Sequence, residues 1–523
     1  MHPSSDPITF ATACRDDIPR LAWLARVEAA DSSVHVTHGP WVETWDSGFV
    51  EGGWSGPFAE HGFDEAVTFA GTGALIRDGR VLFVAGTDIQ ARLYSTRLQG
   101  CLLLSNSLAF LLEAAGDAPD PRYGYYSGEI LLQSVLGVNR ARKSLPTTGG
   151  HVDVHECINL EVLPDLGLRR CSKPAIQPPR TYLEYIAVLD AAIGDTLGNL
   201  TAPQRERIYP PVATVSRGYD APFVAAIARN HGCTRGLTFG DSPKHVSGNA
   251  DDSGAELGAA LGIDVDVHHH LDFTRYNRCS EAEFCVYPPA IDHPLASFEE
   301  ALEGVTLLTG SFGDCVLSTS VRDLLPDFRQ TTFQGLCGST MTDFRLRVGF
   351  INFPPLFTMG TLIADVGRIS TSEAMRTWSV EGEYDRPIAR RYLNEAGIPD
   401  SMFGQRKMGS AWGLLKRVED LCETSRDDFL DYLADHPDVV PTRGSRITWT
   451  LFKRFVRFQL LISPGRNPVR KLPATLRRYT RDPLEDLLFH WGVARTRTRY
   501  ALPTKRRTSP VFQSGTLEVD ETD

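Results

Sequence analysis

The spacing of hydrophobic and polar positions changes near residue 171. Before it, short apolar runs alternate with glycine, aspartate and other turn formers. They lie at 66–69, 81–84, 102–104 and 160–162, and such bounded runs predict strands. Residues 107–115 read as a short helix. Residues 172–180 are polar and rich in proline, which predicts a linker. From Thr181 the period lengthens, and 182–200 repeats as a helix. A short apolar run at 210–215 meets a glycine turn, and 222–230 reads as a helix. A strand at 237–240, a helix at 255–261 and a strand at 263–267 follow. Strands alternating with helices predict a parallel, doubly wound sheet. Beyond 320 the pattern is mainly helical, and no repeat of fixed period appears.

The expected class is therefore α/β. A β-rich α+β domain covers 1–171, and the parallel sheet with a helical C-terminal part covers 181–500. The polar residues 501–523 are expected to form a disordered tail. A length of 523 residues exceeds what one ordinary core accommodates, which agrees with two domains.

Composition narrows the function classes. Hydrophobic residues make up 42% and charged residues 23%, as in soluble globular proteins. A formal net charge of -11 argues against a general affinity for nucleic acid or anionic lipid. One basic stretch, 443–481, interleaves Lys and Arg with Trp449, Phe452, Phe455 and Phe458. It reads as an amphipathic helix with a solvated basic face, the alternative being a nucleic-acid or phosphate surface. The 10 cysteines are scattered without a CxxC pair, and the nearest two, Cys279 and Cys285, read as buried thiols. That usage suits a reducing cytoplasm. The first residues lack the basic start and apolar run of a signal peptide. No apolar stretch approaches the roughly 20 residues that span a bilayer. The expectation is a soluble, cytoplasmic protein with no nucleic-acid partner, and a homodimer stays open.

Chemistry concentrates in three turns. In Ala213-Thr-Val-Ser-Arg-Gly-Tyr-Asp-Ala221, a strand ends at Val215 and a Ser/Gly turn leads into a helix with Asp220 in its first turn. Backbone N–H groups and the helix dipole then point at one place, an arrangement that binds phosphate. Gly218 lets the backbone approach an anion, and Ser216 can donate a hydrogen bond. Asp220 repels phosphate directly and so points to Mg²⁺. The same Ser-x-Gly-x-Asp pattern also occurs in ordinary turns and helix caps. A second strand-turn, Val305-Thr-Leu-Leu-Thr-Gly-Ser-Phe-Gly-Asp314, ends in another acid. Neighbouring parallel strands end on one edge, so Asp220 and Asp314 are expected around one metal-pyrophosphate. The third turn, Gly404-Gln-Arg-Lys-Met-Gly409, offers Arg406 and Lys407 to a transferring phosphoryl group, or else is a solvated loop. The run His268-His-His270 follows a strand, where adjacent side chains face opposite ways, and reads as a surface cluster.

Together these segments resemble the asparagine synthetase superfamily over roughly 181–412. The family's pyrophosphate loop, Ser-Gly-Gly-x-Asp-Ser, stands here as Ser216-Arg-Gly-Tyr-Asp-Ala221. Leu237-Thr-Phe-Gly240 resembles the next family strand, and 251–262 the helix after it. Asp292-His-Pro294 resembles the acidic-proline pair, and Thr309–Asp314 the second acidic loop. Arg347–Ile351 resembles the Arg-Val-Pro-Phe-Leu segment, and Arg406-Lys-x-Gly409 the late Arg-Lys motif.

The resemblance implies the ATP-pyrophosphatase fold and an ATP- and Mg²⁺-dependent ligase. A carboxylate attacks the α-phosphorus, pyrophosphate leaves, and an amine attacks the acyl-adenylate. It implies that Val215, Ser216, Gly218, Tyr219, Asp220, Phe239, Gly240, Thr309 and Gly310 hold the nucleotide, largely through backbone atoms. Asp220 and Asp314 would ligate Mg²⁺, and Lys407 with Arg406 would be catalytic. Tyr384 or Glu383 would pair with Lys407 as acid and base, as in β-lactam-forming relatives.

Arg217, Ala221, Ser311 and Cys315 depart from the family pattern, the last two replacing glutamates of asparagine synthetases proper. Weaker likeness relates 88–94, 102–109 and 145–149 to the class II glutamine amidotransferase domain. A working glutaminase exposes a terminal cysteine, but His2 stands at position two and Cys14 is internal. The domain therefore reads as a degenerate relic, as in β-lactam synthetases and lasso-peptide cyclases. The expected partners are a small-molecule or peptide carboxylate and a substrate amine. Asparagine synthesis from ammonia and a nucleotide-binding scaffold without catalysis are the alternatives.

Overall fold

The computed structural model describes residues 8–29, 31–98, 100–123, 126–127, 143–241, 252–319, 338–382, 384–405, 413, 415–440 and 483–501. Glu383, Arg406, Lys407, the basic stretch 443–481 and residues 502–523 of the expected tail lie outside the described residues.

The chain is mixed α/β, with a β-rich N-terminal region and a parallel sheet after it. The first region contains β1 (Thr9–Cys14), β2 (Trp23–Glu28), β3 (Ser33–His38), β4 (Glu43–Trp45), β5 (Gly48–Trp54), β6 (Phe69–Arg77) and β7 (Arg80–Val84). It continues with β8 (Leu93–Leu98), β9 (Cys101–Ser105), β10 (Lys143–Thr147), β11 (Gly150–His155), β12 (Ile158–Val162) and β13 (Leu168–Ser172). They form a seven-stranded sheet in the order β1-β3-β2-β9-β8-β11-β10 and a six-stranded sheet in the order β13-β12-β7-β6-β5-β4. Trp23, Leu93 and Leu104 from the first sheet share one buried core with Phe49, Phe83 and Leu160 from the second. Period-two alternation supplies that apolar face on each sheet.

The strand expected at 66–69 instead begins at Phe69 and runs to Arg77. Thr68 gives its N–H to the Ser55 hydroxyl (3.1 Å). Glycines conceal the strand in the sequence, because they are depleted in strands. Here they serve close approach: Gly52 pairs with Gly71, and a Cβ on Gly71 would lie 2.1 Å from the Glu51 carbonyl oxygen.

The second region opens with the helix Tyr182–Leu200, capped by the Thr181 hydroxyl on the Glu184 N–H. It packs on β5, where Gly53 leaves room for Leu200. Then come β14 (Pro211–Thr214), β15 (Arg235–Phe239), β16 (Asp264–His268), β17 (Thr306–Leu308) and β18 (Ile351–Phe353). All pairs are parallel, in the order β16-β15-β14-β17-β18. The helices Asp220–Asn230 and Ala255–Ala260 fill the first two crossovers. β18 lies in the part expected to be mainly helical. Three residues are too few to show a period, and its pairing with β17 makes it a strand. Among the described residues no helix is long and apolar enough to cross a membrane.

Buried polar contacts join the two regions. Arg345, on the helix Thr342–Val348, donates to both oxygens of Glu51 on β5 (2.7 and 2.9 Å). Both side chains are buried, and Glu51 also accepts from Thr72 (2.7 Å). The Arg92 guanidinium donates to the Ser339 carbonyl (3.0 Å) and covers the Tyr287 ring. Asp343 accepts from Ser107 (2.5 Å) and from Tyr500 (3.3 Å).

Two predictions follow from this seam. Glu51→Leu strands a buried guanidinium and should cost about 3–5 kcal/mol in urea unfolding, whereas Glu51→Leu with Arg345→Met should recover most of that loss. Burial, with the nearby Glu283 charge also raising it, pushes the Asp343 carboxyl up to about 7. The folded state therefore holds this proton more tightly than the unfolded chain does. Its contribution is full below about pH 4 and is lost as pH rises through 7. Asp343→Asn should flatten the fall in melting temperature between pH 5 and pH 8 relative to the unsubstituted protein.

Candidate functional site

Strand order reverses between β14 and β17, and the loops after these two strands meet. Val215 continues β14, gives its N–H to the Leu237 carbonyl (2.9 Å) and is buried. The chain turns through Ser216, Arg217 and Gly218 into the helix that starts at Asp220. Tyr219 is the N-cap of that helix, and its side chain makes no cap hydrogen bond. After β17, Thr309 and Gly310 lead to the short helix Gly313–Val316 carrying Asp314. The second loop presses on the first. A Cβ on Gly310 would lie 2.4 Å from the Ala221 nitrogen, and one on Gly313 would lie 2.5 Å from the Asp220 Cγ. Phe312, between them, has φ 72, a left-handed conformation that costs a bulky residue about 1–2 kcal/mol. Its ring stacks on Phe357 at 4.3 Å.

Asp220 and Asp314 thus come to one place, as expected from the strand order. What lies between them was not expected. Arg386 Nη2 is 3.3 Å from Asp314 Oδ1, and its Nε is 4.0 Å from Asp220 Oδ1. Arg386 is buried, also donates to the Asp385 carbonyl (2.9 Å), and its Nε makes no hydrogen bond among the described residues. It immediately precedes the helix Pro387–Glu395, with proline in the first turn. An arginine before such a proline carries no mark in the sequence that separates it from a solvated charge.

Aromatic side chains roof the first loop. A Cβ on Gly218 would sit 3.1 Å from the Tyr384 hydroxyl oxygen, and the Tyr384 and Tyr219 rings are 5.0 Å apart. Burial, then the charges of Asp220 and Asp314, push the Tyr384 phenol well above its ordinary value. It is therefore a donor at neutral pH. The Tyr185 hydroxyl, buried and raised by burial and by Asp220, has no hydrogen-bond partner among the described residues. Tyr219 is fully buried, and Arg390 donates to its hydroxyl. Its backbone alone borders the turn.

The phosphate nest is partly filled from within. Ser216 Oγ accepts the Gly218 N–H (3.2 Å), and Asp252 Oδ1 accepts the Arg217 N–H (3.3 Å). The Arg217 side chain turns outward to Glu256 at 3.6 Å. Phe239 is stacked on both faces, by His270 at 4.2 Å and by Phe298 at 4.3 Å. Gly240 gives its N–H to the His268 carbonyl (2.9 Å). His268 meets Phe298 edge-on, while the exposed His269 and the buried His270 both reach Asp241 (3.7 and 2.8 Å). Asp292 is a buried acceptor of the Gly338 and Thr340 N–H groups, a structural use of the acidic-proline pair. Cys14 ends the edge strand β1. Partial burial, then Asp16 and Glu206, raise its thiol above the ordinary value.

Among the described residues no group of three or more His, Cys, Asp or Glu side chains is placed to hold a metal ion. Asp220 and Asp314 supply two converging carboxylates. Two hard oxygen donors fit Mg²⁺ when water and substrate phosphates complete its six ligands. Gly404 donates its N–H to the Arg217 carbonyl (2.8 Å), with φ +65 and Tyr219 packed where a Cβ would stand. Residues 406 and 407 follow directly in sequence. Gly404→Ala should destabilise the protein by about 2 kcal/mol or more through backbone strain and overpacking, measured by urea unfolding.

No known protein-family model matches this chain, and no curated protein matches it in sequence.

Proposed function

We propose that this chain is an ATP-dependent ligase of the asparagine synthetase type. It would activate a substrate carboxylate as an acyl-adenylate with release of pyrophosphate, then form an amide with an amine. The observation that carries this reading is the convergence of Asp220 and Asp314 on one guanidinium at the edge where strand order reverses. Open parallel sheets bind ligands at that edge. The order β16-β15-β14-β17-β18 with helical crossovers supports a doubly wound sheet of the ATP-pyrophosphatase type.

In this reading Asp220 and Asp314 hold Mg²⁺, which when bound supplies charge neutralisation on phosphate oxygens. The Asp220 and Ala221 amides at the start of the helix Asp220–Asn230, Pro222 having none, and the Arg386 guanidinium would face the same anion. Tyr384 donates a hydrogen bond from its protonated phenol. Val215, Phe239 and Gly240 border the nucleotide through backbone atoms on the β15 side, and Thr309 and Gly310 do so on the β17 side. Lys407 and Arg406, next to the loop that Gly404 ties to Arg217, stabilise charge on the transferring group. The amine is supplied by the substrate. The carboxylate is a small molecule or a peptide.

A nucleotide-binding scaffold is the second reading. It is favoured by the internal use of the Arg217 and Gly218 N–H groups and by Arg386 between the aspartates.

Thermal shift with Mg-ATP tests the proposal. Ligand at a hundredfold excess over Kd should stabilise the native protein by on the order of 2–3 kcal/mol. Asp220→Asn and Asp314→Asn should abolish the shift. Lys407→Ala should keep it and lose ATP–pyrophosphate exchange. Unaltered Mg-ATP affinity in both aspartate variants sinks the metal assignment, and binding without exchange over a panel of carboxylates leaves the scaffold.

A further inference from the structure

We infer that Arg386 is an internal counter-ion that keeps the Asp220–Asp314 pair closed to free divalent metal, so that the site accepts metal only together with a polyphosphate. The inference rests on the reading of these two aspartates as metal ligands.

Three observations carry it. First, one guanidinium reaches both carboxylates, at 3.3 Å from Asp314 Oδ1 and 4.0 Å from Asp220 Oδ1. Second, Arg386 is almost wholly buried, with a side chain 4% exposed, against 16% for Asp220 and 28% for Asp314. The cation is the more deeply buried partner of each pair, and the Asp220 Oδ1 that it approaches is itself buried. Third, the pairing is incomplete as hydrogen bonding. Nε makes no hydrogen bond among the described residues, and the Asp314 contacts of Nη2, to Oδ1 and to the main-chain oxygen, are both long at 3.3 Å. Arg386 is anchored by the Asp385 carbonyl and by the adjoining helix, so its charge stays when its partners change.

A divalent ion here must win two carboxylates already partly neutralised by a fixed charge, and it must sit close to that charge. Like-charge repulsion in a half-buried site is weakly screened. A polyphosphate reverses the balance. Its oxygens supply the negative charge the site lacks, and they offer the guanidinium charge-assisted acceptors better aligned than those it has now. The ligand class follows: a metal–polyphosphate complex, with metal and anion binding cooperatively, each raising the affinity for the other. Arg386 is on this account a positioning residue for the carboxylate pair and a binding residue for the anion.

The test uses Mn²⁺ alone, titrated by its electron paramagnetic resonance signal into the full-length, nucleotide-free protein. The unsubstituted protein should bind Mn²⁺ weakly, with a millimolar Kd. Arg386→Gln should tighten binding on the order of tenfold or more, Arg386→Lys should stay near the unsubstituted value, and Arg386→Gln with Asp314→Asn should lose the gain. The same Arg386→Gln variant should lose affinity for inorganic pyrophosphate. A micromolar Mn²⁺ site in the unsubstituted protein, abolished by Asp314→Asn, overturns the inference whether or not Arg386→Gln folds. Equal Mn²⁺ affinity with and without Arg386 also overturns it. Absence of an Mg-ATP thermal shift sinks the nucleotide reading instead, and leaves the Mn²⁺ comparison standing on its own.

Discussion

The pairing of β14 with β17 is the constraint on which the site depends. It sets Pro211 opposite Thr306, Val212 opposite Leu307 and Ala213 opposite Leu308, joining segments far apart in the chain. Parallel strands end on a common edge, so this one ladder brings the turn at 215–219 against the turn at 309–314. Gly310 and Gly313 then allow contact that any side chain would block. In open parallel sheets this reversal of strand order is where ligands bind. Acidic groups delivered there have few ways to be neutralised, and the protein has placed an arginine to do it.

The second region is also built against the first. The Arg345–Glu51 pair is removed from water on both sides, and its net worth over an apolar pair is small. Its consequence is orientation. A bidentate fork between β5 and the helix Thr342–Val348 holds the sandwich against the segment leading into β18, and β18 is the outer strand of the parallel sheet. Asp343 and Arg92 add contacts to the same seam from neighbouring positions. Burial of so many charged groups makes the seam intolerant of single replacements, because each removal leaves a partner without compensation.

Electrostatics between the two turns are those of a carboxylate pair held on a buried cation. Burial raises both Tyr384 and Tyr185, with Asp220 adding to each and Asp314 to Tyr384, so both phenols remain donors at neutral pH. The loop N–H groups of Arg217 and Gly218 already have acceptors, and an incoming anion would have to compete for them. The Tyr219 side chain does not cap the helix start.

Much of the framework was legible in the chain itself. The helix at 182–200 appears with the expected bounds, and the strand–helix alternation from 210 to 268 appears within a residue or two. Local periodicity decides those elements, because an amphipathic helix or a short apolar strand needs only its own pattern to declare its buried face. Asp220 and Asp314 were also legible as partners, since strand-turn-acid segments in a parallel sheet share an edge. β18 and the full extent of β6 were not, one being too short for a period and the other interrupted by glycines that serve inter-strand contact. Arg386 could not be found from sequence. Whether an arginine before a helix is solvated or buried between two acids depends on which distant residues surround it. Local pattern determined the elements and the acidic turns; only the tertiary structure decided their counter-ion, because charge compensation is settled by neighbours in space.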